Sequence, residues 1–212
     1  MNFFFILSLL NLFITCTYSF KILFIGNSLS KCNCLPCKVS KISPVAVKYN
    51  TCFKGGSPLI YHLTTKKCRR YLRRKKYNAI VLQEQSQMFL NPNYNEYAVK
   101  YMAKRFENLY IISTWPHASD YYNNESIIRK RIKKIATKYN ITVIPVSIYW
   151  TWVKLFYPQI TLTTDGIHPS LEGTFLTACI ISRTLHGKMV YYKPKRMTST
   201  THKILLSICK MN

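Results

Sequence analysis

The stretch of this sequence best suited to chemistry is Asp165-Gly166-Ile167-His168-Pro169. A carboxylate three residues ahead of a histidine can hold one imidazole nitrogen and fix the tautomer. The other nitrogen is then left to take a proton from a nucleophile. Gly166 and Pro169 bracket the segment as a turn, which an ordinary surface loop would also contain. The pattern gains meaning from a candidate nucleophile far upstream. Ser28 closes the run from Lys21 through Ile25 and Gly26-Asn27, an apolar strand pattern that breaks into a tight turn. A serine there can attack a carbonyl when a neighbouring base accepts its proton. It can equally cap a helix.

The elements between these residues must bring them together. Strands are expected over 21–25, 44–48, 77–82, 109–113 and 141–146, each a short apolar run. Helical spacing runs over 59–74, 95–106, 120–139 and 170–185, with Gly187 as the final stop. The Cys/Pro segment from Ser28 to Cys37 reads as a poor helix, and the basic tail from Met189 to Asn212 fits no element. Strands alternating with helices predict one α/β domain. Its form would be a three-layer α/β/α sandwich around a five-stranded parallel sheet in flavodoxin-like order 2-1-3-4-5. Ligands in such folds sit at the carboxyl ends of the strands. That rim would carry Ser28, the turn at Gly55-Gly56-Ser57-Pro58, and Gln83 and Gln85 after the third strand. Trp115-Pro116-His117 and Asp165–His168 would join them.

The chain has 212 residues, enough for one domain with a sizeable core. Residues 1–19 carry no charge and are rich in Phe, Leu and Ile, with Thr17 and Ser19 at −3 and −1 of a cut before Phe20. The expectation is a signal peptide over 1–19, a mature domain over 20–212 and secretion. An uncleaved apolar anchor is the alternative. Of eight cysteines, Cys16 would leave with the signal. Cys32, Cys34, Cys37, Cys52, Cys68, Cys179 and Cys209 would then be expected as disulfides with one thiol over. Zinc on Cys32, Cys34 and Cys37 is the alternative, though the paired C-x-x-C layout is missing. Glycosylation sequons stand at Asn124 and Asn140.

The formal net charge of +24 predicts attraction to polyanions such as acidic glycans or anionic cell surfaces. Its densest runs are Lys66–Lys76 and Arg129–Lys138. A nucleic-acid partner is disfavoured, because no reading motif accompanies the charge.

In order and spacing the chain resembles the SGNH (GDSL-like) hydrolase superfamily. Phe24-Ile25-Gly26-Asn27-Ser28 is similar to the first block, with Ser28 as nucleophile and Asn27 where many members have Asp. Gly55-Gly56-Ser57-Pro58-Leu59 fits the second block, in which a glycine, here Gly56, lends its N–H to the oxyanion hole. Residues 165–170 fit the last block, with Asp165 and His168 completing a triad. The third block usually supplies an Asn amide. Residues 81–86, VLQEQS, have none and resemble a subset of bacterial-type members. The donor role then falls to Gln85, with Gln83 as runner-up, beside the N–H groups of Ser28 and Gly56. A second departure is the Cys/Pro link where the family has a helix. The resemblance implies a secreted serine esterase that removes a short acyl group, acetyl above all, from a carbohydrate. Asn27 and Trp115 would touch the substrate, and no metal or cofactor is implied. The alternative is an inactive or weakly active protein of the same fold that holds acidic glycans or another polyanion on its basic helices.

Overall fold

The computed structural model describes residues 19–74 and 76–211. The expected signal peptide lies outside them except for Ser19. Five parallel strands form one sheet in the order β2-β1-β3-β4-β5. They are β1 Phe20–Gly26, β2 Val47–Phe53, β3 Ala79–Leu82, β4 Leu109–Ile112 and β5 Thr142–Ile144. The central strands are apolar on both faces because both faces are covered. In β1, Ile22 and Phe24 enter one core while Leu23 and Ile25 enter the other. In β3, Ala79 and Val81 divide from Ile80 and Leu82 in the same way.

The helices are α1 Ser28–Lys31, α2 Leu35–Ile42, α3 Leu59–Thr64, α4 Lys66–Arg73, α5 Tyr97–Ala103, α6 Tyr121–Tyr139, α7 Val146–Phe156, α8 Leu171–His186 and α9 Ser199–Lys210. Buried residues of α2, α7, α8 and α9 pack on one face of the sheet, joined by Tyr121 at the start of α6, and the apolar buried residues of α3 to α5 and the rest of α6 pack on the other. The result is the expected three-layer α/β/α sandwich. Among the described residues no helix is long and apolar enough to cross a membrane.

Several elements depart from expectation, each for a local reason. The Cys/Pro segment is helical after all. Asn33 and Cys34 take left-handed backbone angles (φ 50° each), so the chain turns sharply between α1 and α2. Pro36 sits in the first turn of α2, where its missing N–H breaks no bond. Leu35, Val39 and Ile42 then bury as an amphipathic face. The helix expected over 59–74 breaks at Thr65, which is extended (ψ 133°) and whose hydroxyl accepts the Cys68 N–H to cap α4. β2 starts three residues later than expected and runs on through polar residues, as an edge strand can. Helices α7 and α9 were not foreseen. The first is apolar enough to pass for irregular core chain, and the second lies in the basic tail, where Thr198 caps it.

Cys34 and Cys37 form a disulfide, which takes two of the three sulfurs the zinc alternative needed. Among the described residues, no group of three or more His, Cys, Asp or Glu is arranged to hold a metal. Cys32, Cys52, Cys68, Cys179 and Cys209 are free thiols.

Trp150 is fully buried and stacks on Trp115, with ring centroids 3.8 Å apart and planes 14° apart. Replacing it empties the largest side chain in the core. Trp150→Ala should cost about 3–5 kcal/mol of stability, read as a lowered midpoint in urea. Tyr122→Ala, at a residue 61% exposed, should stay within about 0.5 kcal/mol of the parent.

Candidate active site

The site begins where β1 ends. A side chain on Gly26 would place its Cβ 2.9 Å from Gln83 Oε1 and 3.1 Å from Gln83 Cβ, so only glycine allows this approach. Asn27 follows, 1% exposed. Its Oδ1 accepts the Leu29 N–H at 3.0 Å and caps α1. Its own N–H donates to Gln83 Oε1 at 3.1 Å. Ser28 is therefore the first helical residue, and its N–H has no intrahelical partner.

The second segment is the turn at Gly55–Pro58. Gly56 has φ +64°, a conformation other residues rarely adopt. This turn is tied to the end of β3 through Glu84, a carboxylate only 1% exposed. Glu84 Oε1 accepts the Leu59 N–H at 3.0 Å and the Gln85 N–H at 2.8 Å, and Oε2 accepts the Tyr94 hydroxyl at 2.9 Å. Burial pushes the Glu84 carboxyl up, and those three hydrogen bonds pull it back. The sequence reading passed over Glu84. The available signal was its rarity: it is one of only seven acidic residues in the chain.

The third segment is the turn after β5. Trp115 donates its indole N–H to the Ile167 carbonyl at 3.0 Å, and the Ala118 N–H donates to the Gly166 carbonyl at 2.8 Å. Asn33 Nδ2 donates to the Pro169 carbonyl at 2.8 Å and to Thr174 Oγ1 at 3.1 Å. The left-handed kink before α2 thus strengthens the histidine turn from the other side.

These segments bring three groups into line. His168 Nε2 lies 2.9 Å from Ser28 Oγ, and His168 Nδ1 lies 2.6 Å from Asp165 Oδ2. Asp165 Oδ1 also accepts the N–H groups of Ile167 (3.0 Å) and His168 (2.7 Å). The imidazole bond first, and then the two backbone bonds, hold the Asp165 carboxyl well below the usual carboxylate range. A depressed folded pKa stabilises the fold fully above the unfolded value, about 4, and loses that effect as pH falls through the lower folded value. Asp165 therefore stays ionised through neutral and mildly acidic pH. Cys32 sits close enough to Asp165 to feel its charge. Burial and that charge raise its pKa, so it stays a thiol.

A cavity of ≈290 Å³ opens beside the line, and Ser28, Gly56, Gln85, Trp115, His117 and His168 are among the residues around it. The N–H groups of Ser28 and Gly56 donate to no protein acceptor among the described residues.

The two glutamines separate clearly. Gln83 is buried, with its Oε1 held by the Asn27 N–H and the Ser30 hydroxyl (3.3 Å) and its Nε2 on the Glu84 carbonyl. Both ends of that amide are engaged inside the protein, and Gln83 is not among the residues around the cavity. The partly exposed Gln85 is the glutamine at the cavity wall. Asn27 and Trp115, expected to touch substrate, also border the cavity, yet both are buried. The Asn27 amide caps α1 and the Trp115 ring is covered by Trp150, so each holds another part of the site in place.

No protein-family model matches the sequence, and no curated protein matches it significantly. Solved structures do match. A DUF4886 family protein from Bacteroides uniformis is similar at a TM-score of 0.73 and 18% identity, over 91% of this chain and 93% of that one. A lipase/acylhydrolase from Enterococcus faecalis is similar at 0.61 and 15%, over 82% and 100%. A catalytic mutant of an acetylxylan esterase from Geobacillus stearothermophilus is similar at 0.64 and 13%, over 84% and 100%. The chain has the SGNH-hydrolase fold. At these identities the likeness is one of fold, and the chemistry has to be argued from the site.

Glu84 makes a sharp test of how this SGNH-fold site is held. Glu84→Ala leaves two buried N–H groups without acceptors, each costing about 1–3 kcal/mol. The variant should lose stability in urea and lose reaction of Ser28 with a fluorophosphonate. Glu84→Gln, which keeps an acceptor for both N–H groups, should recover most of the labelling rate.

Proposed function

We propose that this protein is an exported serine esterase that removes short acyl groups from carbohydrate. The observation that carries the reading is the hydrogen-bonded line from Ser28 Oγ through His168 to Asp165. With the proton on Nδ1 and donated to Asp165, Nε2 is free to accept the Ser28 proton as Oγ attacks the ester carbonyl. The negative charge that develops on the carbonyl oxygen would meet the N–H groups of Ser28 and Gly56 and the Gln85 amide. Collapse breaks the ester C–O bond, and the leaving alcohol takes the proton from His168. Water, deprotonated by the same imidazole, then cleaves the acyl-serine and releases the acid. No step calls on a metal or cofactor.

Support for a short acyl group comes from cavity size. A volume of ≈290 Å³ lies at the low end for ligand pockets and has no room for a long lipid tail beside an alcohol portion. Support for an acetylated carbohydrate comes from the acetylxylan esterase among the structural neighbours. The basic surface would bring the enzyme to acidic glycans on an anionic cell surface.

Support for export comes from the thiols. Cys34 and Cys37 are already joined. Cys52 on β2 and Cys68 on α4 are buried in one core, with their thiols in hydrogen-bonding contact; that contact and burial push the Cys68 pKa up. Cys179 on α8 and Cys209 on α9 make the same kind of pair in the other core. In each pair, exchange with a disulfide donor would remove two protons and two electrons and close an S–S bond. Cys32 would be the odd thiol.

Two measurements test the reading. Ser28→Ala should lower kcat for 4-nitrophenyl acetate by roughly 10⁴-fold or more and abolish fluorophosphonate labelling. Gln85→Ala should cost roughly 10²–10³-fold in kcat and leave labelling at Ser28. Equal rates for Ser28→Ala and wild type would remove the esterase reading. Separately, non-reducing peptide mapping of protein recovered from the medium should find Cys52 joined to Cys68 and Cys179 to Cys209, with Cys32 alone alkylated. Alkylation of all five after unfolding would count against export.

A further inference from the structure

A cavity of ≈490 Å³ has no part in the ester site. It lies at the amino ends of β1 and β2, whereas Ser28, Gly56 and Gln85 follow the carboxyl ends of their strands. Four cations line it, Lys21, Lys48, Arg74 and Lys76, and no acidic side chain does so among the described residues. All four are exposed.

The arrangement is more than a share of the general charge. Lys21 and Lys48 are register partners on neighbouring strands. Like charges placed side by side on a sheet repel, and this pair has no salt bridge to an acid among the described residues. A bound anion would relieve that repulsion. The cavity walls are also ordered. Tyr77 donates its hydroxyl to Asn50 Oδ1 at 3.0 Å. The Tyr49 hydroxyl lies 3.1 Å from the disulfide-bonded Cys37 sulfur, to which it donates.

We propose that this cleft binds an acidic oligosaccharide, one that carries sulfate or carboxylate groups, at a site separate from the ester pocket. The volume is in the range of small-ligand pockets and suits a di- or trisaccharide segment. The clustered cations match anionic substituents, and the place of the cleft at the amino ends of the strands leaves Ser28, at their carboxyl ends, free while the glycan is held. A molecule bound to an acidic glycan by one edge can work on esters with the other.

The test is titration of wild-type protein with a heparin-derived hexasaccharide at physiological salt, beside two variants of equal charge. One carries Lys21→Gln, Lys48→Gln, Arg74→Gln and Lys76→Gln. The control carries Lys104→Gln, Lys130→Gln, Lys133→Gln and Lys134→Gln, all at exposed positions elsewhere. The cleft variant should bind at least about tenfold more weakly, and the control within about threefold of wild type, since its lysines, three of them from the dense run on α6, line no part of the cleft and act only through the screened general field. The milder pair Lys21→Gln/Lys48→Gln should give an intermediate loss with an unchanged or higher thermal midpoint, which separates lost binding from lost folding. Equal weakening of cleft variant and control would overturn the proposal, leaving only the general field. Tighter, cleft-dependent binding of a single-stranded oligonucleotide of matched charge would overturn it too. The readout is binding alone, so it stands or falls apart from turnover at Ser28.

Discussion

The structure depends on one contact between residues 140 positions apart, the 2.9 Å approach of the His168 ring to the Ser28 hydroxyl. Neither partner is held by its own segment alone. Ser28 is fixed because Gly26 lets β1 end against Gln83 and because Asn27 caps α1. His168 is fixed because its turn is strapped by Trp115, Ala118 and Asn33. The sheet order explains why both ends of the bond arrive together: β1 lies inside the sheet, and after β5 the chain returns through α8, which packs on the same face as α2, the helix that follows Ser28.

Acidic residues are scarce, and the few present have defined work. In a chain with 31 Lys and Arg and seven Asp and Glu, Glu84 is buried to join two loops and Asp165 orients the imidazole. Glu96, just ahead of α5, pairs with the exposed Lys138, a contact of the kind that adds little stability, and the largely buried Glu125 pairs with Arg129 one turn along α6. The remaining positive charge is not neutralised in place. The core, apolar on both sheet faces, carries the fold against that self-repulsion.

Much of this was legible in the sequence. Apolar runs alternating with helical spacing fix a parallel sheet, and Asp-x-x-His with an upstream serine turn names the three groups that meet. What could not be read depends on direction rather than type. Strand alternation would put Gln83 and Gln85 on one face, but the chain leaves the sheet after Leu82, so one amide turns inward and the other reaches the cavity. Trp115 could be placed on the rim from sequence, either touching substrate or, as the structure has it, buried; the stack on Trp150 that decides between them is not visible there. The segment from Cys32 to Cys37 looked hostile to helix. Its two left-handed residues absorb the kink and leave the helices either side intact.

The central claim is that Asp165, His168 and Ser28 act as one hydrogen-bonded unit. Proton NMR at low temperature reads it directly, because a proton shared across 2.6 Å between Nδ1 and a carboxylate is strongly deshielded. The account predicts one resonance far downfield of the amides, sharpened by the low temperature that slows its exchange with water. It should be absent in Asp165→Asn and should move when a fluorophosphonate modifies Ser28. A folded protein with no such resonance, or one whose resonance survives Asp165→Asn, would contradict it.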